Sequence, residues 1–237
     1  MEVMGIDNQS EAALVKSKLS YMPQQFGLYE DLTVNENLNL YCDLKSVGMD
    51  VRKKRIGELL EMTQLEKFTK RLAGDLSGGM KQKLGLCCSL VSRPKLLILD
   101  EPTAGVDPLS RRQLWKMVKQ MVNQESVTVL VSTAYLDEAR FCDRVVLMHK
   151  GEVIDQGKPR EFTDKIADRV YSVSSSKLSP RELQMEVSGR DEVIDAAMES
   201  DSVRLLFTEG ADKGFKEKNK ELDLEIKKTE PRFEDAF

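Results

Sequence analysis

Several things are scarce in this sequence, and each scarcity removes a class of function. Among 237 residues there is one histidine, His149, and the four cysteines, Cys42, Cys87, Cys88 and Cys142, show no C-x-x-C spacing. A zinc site is therefore not expected, and reduced thiols buried in a core are. Cys87 and Cys88 fall in an apolar helical stripe, where thiols act as small hydrophobes. The longest apolar runs, such as Leu96 to Leu99 and Val129 to Val131, fall far short of the roughly 20 residues of a membrane-spanning helix. Met1 to Gly5 lack the basic and apolar regions of a secretory signal. Net charge is -4 with acids and bases interspersed, which gives no electrostatic draw toward nucleic acid or an anionic membrane. No nucleic-acid partner is expected, and any membrane contact is expected to come through another protein. What remains is 41% apolar residues with only 6% aromatics, enough for one sizeable core and a small appended one.

Residues 1 to about 165 alternate strand and helix signals, which predicts an α/β region with a largely parallel sheet. Leu96 to Leu99 and Thr128 to Val131 read as strands buried on both faces. Between them Pro108 suits a first helical turn, and Leu114, Met117, Val118, Met121 and Val122 make one apolar helical face. The sum is a strand, helix, strand unit. Upstream, residues 33 to 75 read as helical, opened by the capping-box pattern of Thr33 and Glu36. With the helix that follows Leu76, this predicts an inserted helical subdomain over about 33 to 92. Beyond residue 168, short strands at Val170 to Val173 and Val203 to Phe207 and the alternation Leu222, Leu224, Ile226 predict a small α+β segment over 168 to 237. The last stretch, Pro231 to Phe237, reads as a helix cut short.

Two stretches carry chemistry. Leu76-Ser-Gly-Gly-Met-Lys-Gln82 opens a helix whose apolar positions Met80, Leu84, Cys87, Cys88 and Val91 keep helical spacing. A hydroxyl, two glycines and a helix N-terminus together suit an anion, although the same residues alone make an ordinary cap. Leu96-Leu-Ile-Leu-Asp100-Glu101-Pro-Thr103 is an apolar strand ending in two carboxylates. At the C-terminal end of a central parallel strand such groups meet ligand. Asp100 suits direct or water-mediated Mg²⁺ coordination, and Glu101 suits polarising the water that attacks a γ-phosphate. A lone Asp-Glu pair would more simply be a solvated turn.

In order, Gln24, Leu76 to Gln82, Leu96 to Glu101 and Asp107 resemble an ABC ATPase over residues 1 to about 165. The resemblance implies a P-loop NTPase core with an inserted helical subdomain, and roles for individual residues. Gln24 is similar to the Q-loop glutamine that senses Mg²⁺ and the γ-phosphate and couples to a membrane domain. Ser77, Gly78, Gly79 and Gln82 belong to the signature stretch that contacts ATP. Asp100 resembles the Walker B aspartate beside Mg²⁺, Glu101 the catalytic glutamate and Asp107 the D-loop aspartate. Tyr21 to Thr33, Gly79 to Gly85 and Pro231 to Phe237 resemble, more narrowly, the first half of YbhF-like two-cassette ATP-binding subunits of ABC-2-type multidrug exporters. This implies ATP and Mg²⁺ as cofactors and, as partners, a second nucleotide-binding domain and an ABC-2-type permease. It also implies a cytoplasmic protein held peripherally at the inner face of the membrane.

Two departures bear on activity. No Gly-x-x-x-x-Gly-Lys-Ser/Thr occurs; the only Gly-Lys, Gly157-Lys158, precedes Pro159. The expectation is a truncated core that starts after the P-loop helix. In Val131-Ser-Thr-Ala134-Tyr-Leu-Asp-Glu138, alanine stands where the resemblance would place a switch histidine. A P-loop gives the phosphates several charge-assisted bonds of about 1.5 to 3 kcal/mol each. Losing four or five removes about 7 kcal/mol or more, against the about 8 kcal/mol of micromolar affinity. ATP binding by the chain alone is expected to be negligible. Two readings stay open: part of a transporter ATPase, or a non-catalytic partner that supplies its signature stretch in trans. A third, a soluble ABC ATPase of DNA repair or translation, fits poorly with the short helical interval between Gln24 and Ser77.

Overall fold

The structure, a computed structural model, describes residues 1–25 and 27–237; Phe26, inside the stretch from Tyr21 to Thr33, lies outside the described residues. Two compact units divide the chain, Met1–Ala134 and Tyr135–Phe237.

The first unit opens with a two-stranded hairpin, β1 (Glu2–Val3) and β2 (Ile6–Asp7), whose turn places Gly5 at φ +72°. Helix α1 (Ala12–Lys18) leads into β3 (Leu19–Met22). Three helices follow, α2 (Val34–Leu44), α3 (Met49–Thr63) and α4 (Gly78–Leu90). Then come β4 (Leu96–Asp100), α5 (Pro108–Glu125) and β5 (Thr128–Ser132), the strand, helix, strand unit that the periodicity predicts. The sheet runs β3-β4-β5, all parallel, with Tyr21 opposite Ile98 and Asp100 opposite Ser132.

The helical insertion is held by three local devices. The capping box forms as its residue types demand: the Thr33 hydroxyl accepts from the Glu36 amide at 3.2 Å, and the Glu36 carboxylate accepts from the Thr33 amide at 2.8 Å. Asn37, fully buried, donates to the carbonyls of Tyr29, Leu32 and Thr33 and accepts from the Tyr29 amide, so the loop ahead of α2 has its polar groups satisfied. Arg55 is 3% exposed; it grips Glu125 with two bonds of 2.7 and 2.9 Å and donates to the Leu90 carbonyl. That one guanidinium joins α3 to the C-terminal ends of α4 and α5, and its charge is tolerable in the interior only because all these partners are present.

The faces of the parallel sheet differ. Ser20, Met22, Leu97 and Leu99 are buried, whereas the alternate set includes Tyr21, 51% exposed, and Leu130, 59% exposed.

The second unit begins with a 3₁₀ turn, Leu136–Phe141, then a hairpin of β6 (Val145–His149) and β7 (Glu152–Gly157) and helix α6 (Pro159–Asp164). From there it runs β8 (Val170–Ser175), α7 (Pro180–Val187), β9 (Val193–Met198), β10 (Val203–Phe207), α8 (Asp212–Lys218) and β11 (Leu224–Lys228). Their order in the sheet is β11-β8-β10-β9, every pair antiparallel, which is the split βαββαβ arrangement. Val173, Val203, Leu205, Phe207 and Leu224 from the strands meet Leu183, Val187 and Phe215 from the helices in one core.

The division between units lies at Ala134/Tyr135, ahead of the change of pattern read near residue 165. Aromatic packing is the reason: Phe162 of α6 meets Phe233 and Phe237 at 5.2 and 5.6 Å, which ties residues 136 to 165 to the chain's last stretch. That stretch forms one 3₁₀ turn, Phe233–Ala236, with Phe233 buried. Arg204 of β10, 5% exposed, fixes it with two bonds to Asp235 of 2.8 and 2.6 Å.

Candidate functional site

The carboxylates at the end of β4 are where strand geometry places them, and each meets a partner from a neighbouring strand end. The Asp100 Oδ2 atom accepts from the Tyr21 hydroxyl at 2.9 Å, and its Oδ1 atom accepts from the Ser132 hydroxyl at 2.6 Å. These two hydroxyls, Ser132 first and Tyr21 second, hold the Asp100 carboxyl below the usual aspartate range, and Asp100 in turn raises the Tyr21 phenol. Both strands that flank β4 thus contribute a donor to the same carboxylate.

Glu101 lies one residue beyond the strand with φ +42°, a left-handed backbone that costs a non-glycine residue about 1 to 3 kcal/mol. Its amide donates to the Ser132 carbonyl at 2.9 Å, which continues the sheet pairing while the side chain meets Gln24, whose Nε2 atom donates to Glu101 Oε2 at 2.9 Å. Gln24, Asp100 and Glu101 therefore belong to one connected group. Gln24 sits in a loop held from α2, where the Tyr41 hydroxyl donates to the Gly27 carbonyl at 2.6 Å.

The donors in this group are hard oxygens: a carboxylate on Asp100 and the amide oxygen of Gln24, whose nitrogen is already engaged. Among the described residues no three His, Cys, Asp or Glu side chains cluster as a metal cage. Such a set fits Mg²⁺, which is commonly held through one or two protein oxygens together with substrate phosphates.

The signature residues form a second group at the start of α4. Ser77 is the N-cap, its hydroxyl accepting from the Met80 amide at a long 3.4 Å, and both Ser77 and Gly78 are exposed. The two glycines do different work. A side chain on Gly78 would meet nothing within 4 Å, so its backbone is open to a ligand, whereas a Cβ on Gly79 would lie 2.4 Å from the Ser110 hydroxyl oxygen and 2.8 Å from its carbon. Gly79 thus lets α4 approach the start of α5. Asp107 caps α5, its Oδ1 atom accepting from the amides of Leu109 and Ser110 at 3.0 Å each, and the Ser110 hydroxyl and amide hold its carboxyl below the usual range. Gln82, grouped with the signature by sequence, is 3% exposed in α4 with its Oε1 atom unpartnered among the described residues. Ala134 closes the first unit and offers no polar side chain.

Tyr21 and Ser132 are the site residues that the sequence reading passed over. A tyrosine three positions before a glutamine carries no motif of its own. Only the parallel register, which brings Tyr21 beside Ile98 and Ser132 opposite Asp100, puts their hydroxyls on one carboxylate.

Known proteins resemble this chain in sequence and in fold. The ABC transporter family profile matches residues 2–104. "Probable multidrug ABC transporter ATP-binding protein YbhF" of Escherichia coli (strain K12) is 48% identical over 236 residues, 99% of this chain and 41% of that protein. "Linearmycin resistance ATP-binding protein LnrL" of Bacillus subtilis (strain 168) is 33% identical over 191 residues, 80% of this chain and 58% of that one. The chain thus spans about two fifths of the first relative's length and under two thirds of the second's. Among solved structures, an ATP-binding subunit of an ABC transporter superposes with a TM-score of 0.59 at 28% identity, covering 69% of this chain and 68% of that one. The cassette MJ0796, bound to ADP and Pi, gives a TM-score of 0.57 at 28% identity, covering 66% and 71%. An α/β core with carboxylates at the end of its middle strand, an exposed Ser-Gly at the start of a helix, and these likenesses in both sequence and fold lead to one conclusion: the chain belongs to the ABC transporter family of ATP-binding proteins.

Proposed function

We propose that this chain is part of the ATP-binding subunit of an ABC-type efflux transporter, coupling ATP binding and hydrolysis to export through a membrane partner. The observation that carries the reading is the joint presence of Gln24, Asp100 and Glu101 in one bonded group and of an open Ser77-Gly78 helix start. Bound Mg²⁺-ATP supplies the phosphoanhydride to be cleaved and the positive charge that offsets its oxygens. Asp100 and Gln24 are the residues that would hold the metal. Glu101 uses Oε2 on Gln24 and keeps Oε1 to take a proton from attacking water. Ser77 and the amides of Gly78 and Gly79, at the positive end of α4, would bind a γ-phosphate. Asp107, at the start of α5, would face the second cassette.

The relatives named for multidrug transport and for linearmycin resistance support the efflux assignment, and no helix among the described residues is long and apolar enough to cross a membrane. The partners are then a second nucleotide-binding domain and an ABC-2-type permease, which would hold the chain at the inner face of the membrane. We assign residues 1 to about 165 to the cassette, with 168 to 237 as an accessory segment.

A second reading, a non-catalytic cassette that completes another's site, draws on specific observations. Residue 134 is alanine, while the signature start stays exposed. ATP binding and turnover by residues 1 to 237 alone are expected to be negligible, and turnover that disappears in Glu101→Gln would refute this. In a polypeptide joining these residues to a cassette that carries a P-loop, Gly78→Arg is expected to abolish ATP hydrolysis. Glu101→Gln should cost less, because Ala134 already weakens that site. Equal and complete loss in both variants would contradict the asymmetry, and full activity in Gly78→Arg would remove the signature's role.

A further inference from the structure

We propose that Tyr21, acting with Ser132, is a positioning residue that holds the Asp100 carboxylate in one orientation by giving each of its oxygens a separate hydroxyl donor. The proposal rests on the reading that Asp100 faces a bound metal. Three observations carry it. The donors come from opposite sides, Tyr21 from β3 and Ser132 from β5, at 2.9 and 2.6 Å, so the carboxylate is pinned across the central strand. Tyr21 is half exposed, so burial of its ring gives no reason for the hydroxyl, which donates to Asp100. Three residues further along, Gln24 bonds Glu101, so a single strand end holds both adjacent carboxylates, Asp100 through a phenol and Glu101 through an amide.

A carboxylate has about four lone-pair sites, and two hydroxyls occupy only half of them. The remainder can serve a metal ion or its bound water. Groups that orient metal ligands in this way typically alter metal affinity by 10- to 100-fold when removed. A role confined to fold stability predicts no change at Asp100 itself.

The test uses the full 237-residue chain labelled with carbon-13 in its aspartates, with the Asp100 side-chain signal identified by its loss in Asp100→Asn. Three-bond couplings should report a single Asp100 rotamer in the wild type and averaging among rotamers in Tyr21→Phe and Ser132→Ala, with nearly unchanged thermal midpoints. Ser132→Thr keeps a hydroxyl at the same place and should restore the single rotamer, which guards against misreading a folding defect. An Asp100 signal and couplings in Tyr21→Phe identical to the wild type would overturn the proposal. Titration with Mn²⁺ alone then tests the reading beneath it. Broadening of the Asp100 signal is expected in the wild type, and roughly tenfold more Mn²⁺ should be needed in Tyr21→Phe. Broadening absent from the wild type would refute the metal role of Asp100 while the couplings still decide whether Tyr21 positions it.

Discussion

The two sheets of this molecule solve the same packing problem differently. In the first unit the three parallel strands bury Ser20, Met22, Leu97 and Leu99 on one face but leave Leu130 and Tyr21 more than half exposed on the other. Parallel strands, apolar on both sides, are stable when both faces are covered. In the second unit the four antiparallel strands bury one set of side chains against α7 and α8. The alternate set, with Arg204 and Leu206, is covered by the unit's own residues Ile166, Asp235 and Ala236. Both faces of β10 are thus covered by the second unit's own residues, although Ile194 and Met198 of the neighbouring β9 stay more than half exposed. The sheet that bears the candidate site keeps an apolar face open beside its carboxylates.

The largest effect that would break this contrast lies in the Arg204 clamp. Arg204→Ala leaves the largely buried Asp235 with only the Arg232 amide, and loss of one member of a buried pair costs about 3 to 5 kcal/mol. In calorimetry of the full chain, Arg204→Ala should lower the transition of the second unit and leave that of the first in place. Arg55→Ala, which strips Glu125 and the Leu90 carbonyl, should do the reverse by a similar amount. A single transition shifted equally by both variants would show that the units do not fold separately.

A smaller effect separates the two signature glycines. Gly79→Ala forces a carbon against Ser110 and should destabilise the first unit by about 1 to 3 kcal/mol, with Ser110→Gly recovering most of it. Gly78→Ala meets nothing and should leave the melting temperature nearly unchanged. If Gly79→Ala were as neutral as Gly78→Ala, the close approach of α4 to α5 would be wrong.

The smallest effect is in acid. Glu36 and Glu182, each the carboxylate of a capping box, have carboxyls below their ordinary value of 4.5, chiefly through the hydroxyls of Thr33 and Ser179. A depressed acid contributes stability fully above its unfolded value and loses it as pH falls through its folded value. Both units should therefore weaken slightly as pH drops below about 4.5, and Glu36→Gln and Glu182→Gln should flatten that slope in the first and second unit respectively. Stability that rises on acidification through this range would contradict the assignment.

Much of the site was legible in the sequence because its signals are local. An apolar run ending in Asp100-Glu101 places two carboxylates at a strand's end, and Ser77-Gly78 before a periodic helix places open amides at a helix start; the chain needs only its neighbours to do both. Strand β9 was not legible, since Asp195-Ala196-Ala197 has weak strand preference and is ordered by pairing with β10. That Gln82 is buried and that Gly79 lies against Ser110 was not legible either, because both depend on the packing of α4.

By itself, then, the sequence determined most of the element types, the order of the motifs and the chemistry available at Asp100, Glu101 and Ser77, because hydrophobic period, caps and residue type act within a few positions. Tertiary structure alone decided that Tyr21 and Ser132 share one carboxylate, that Gln24 reaches Glu101, and that residues 135 to 165 pack with the C-terminal sheet. Those contacts depend on strand register and on aromatic packing between segments 32 to 79 residues apart, and no local pattern encodes such distances.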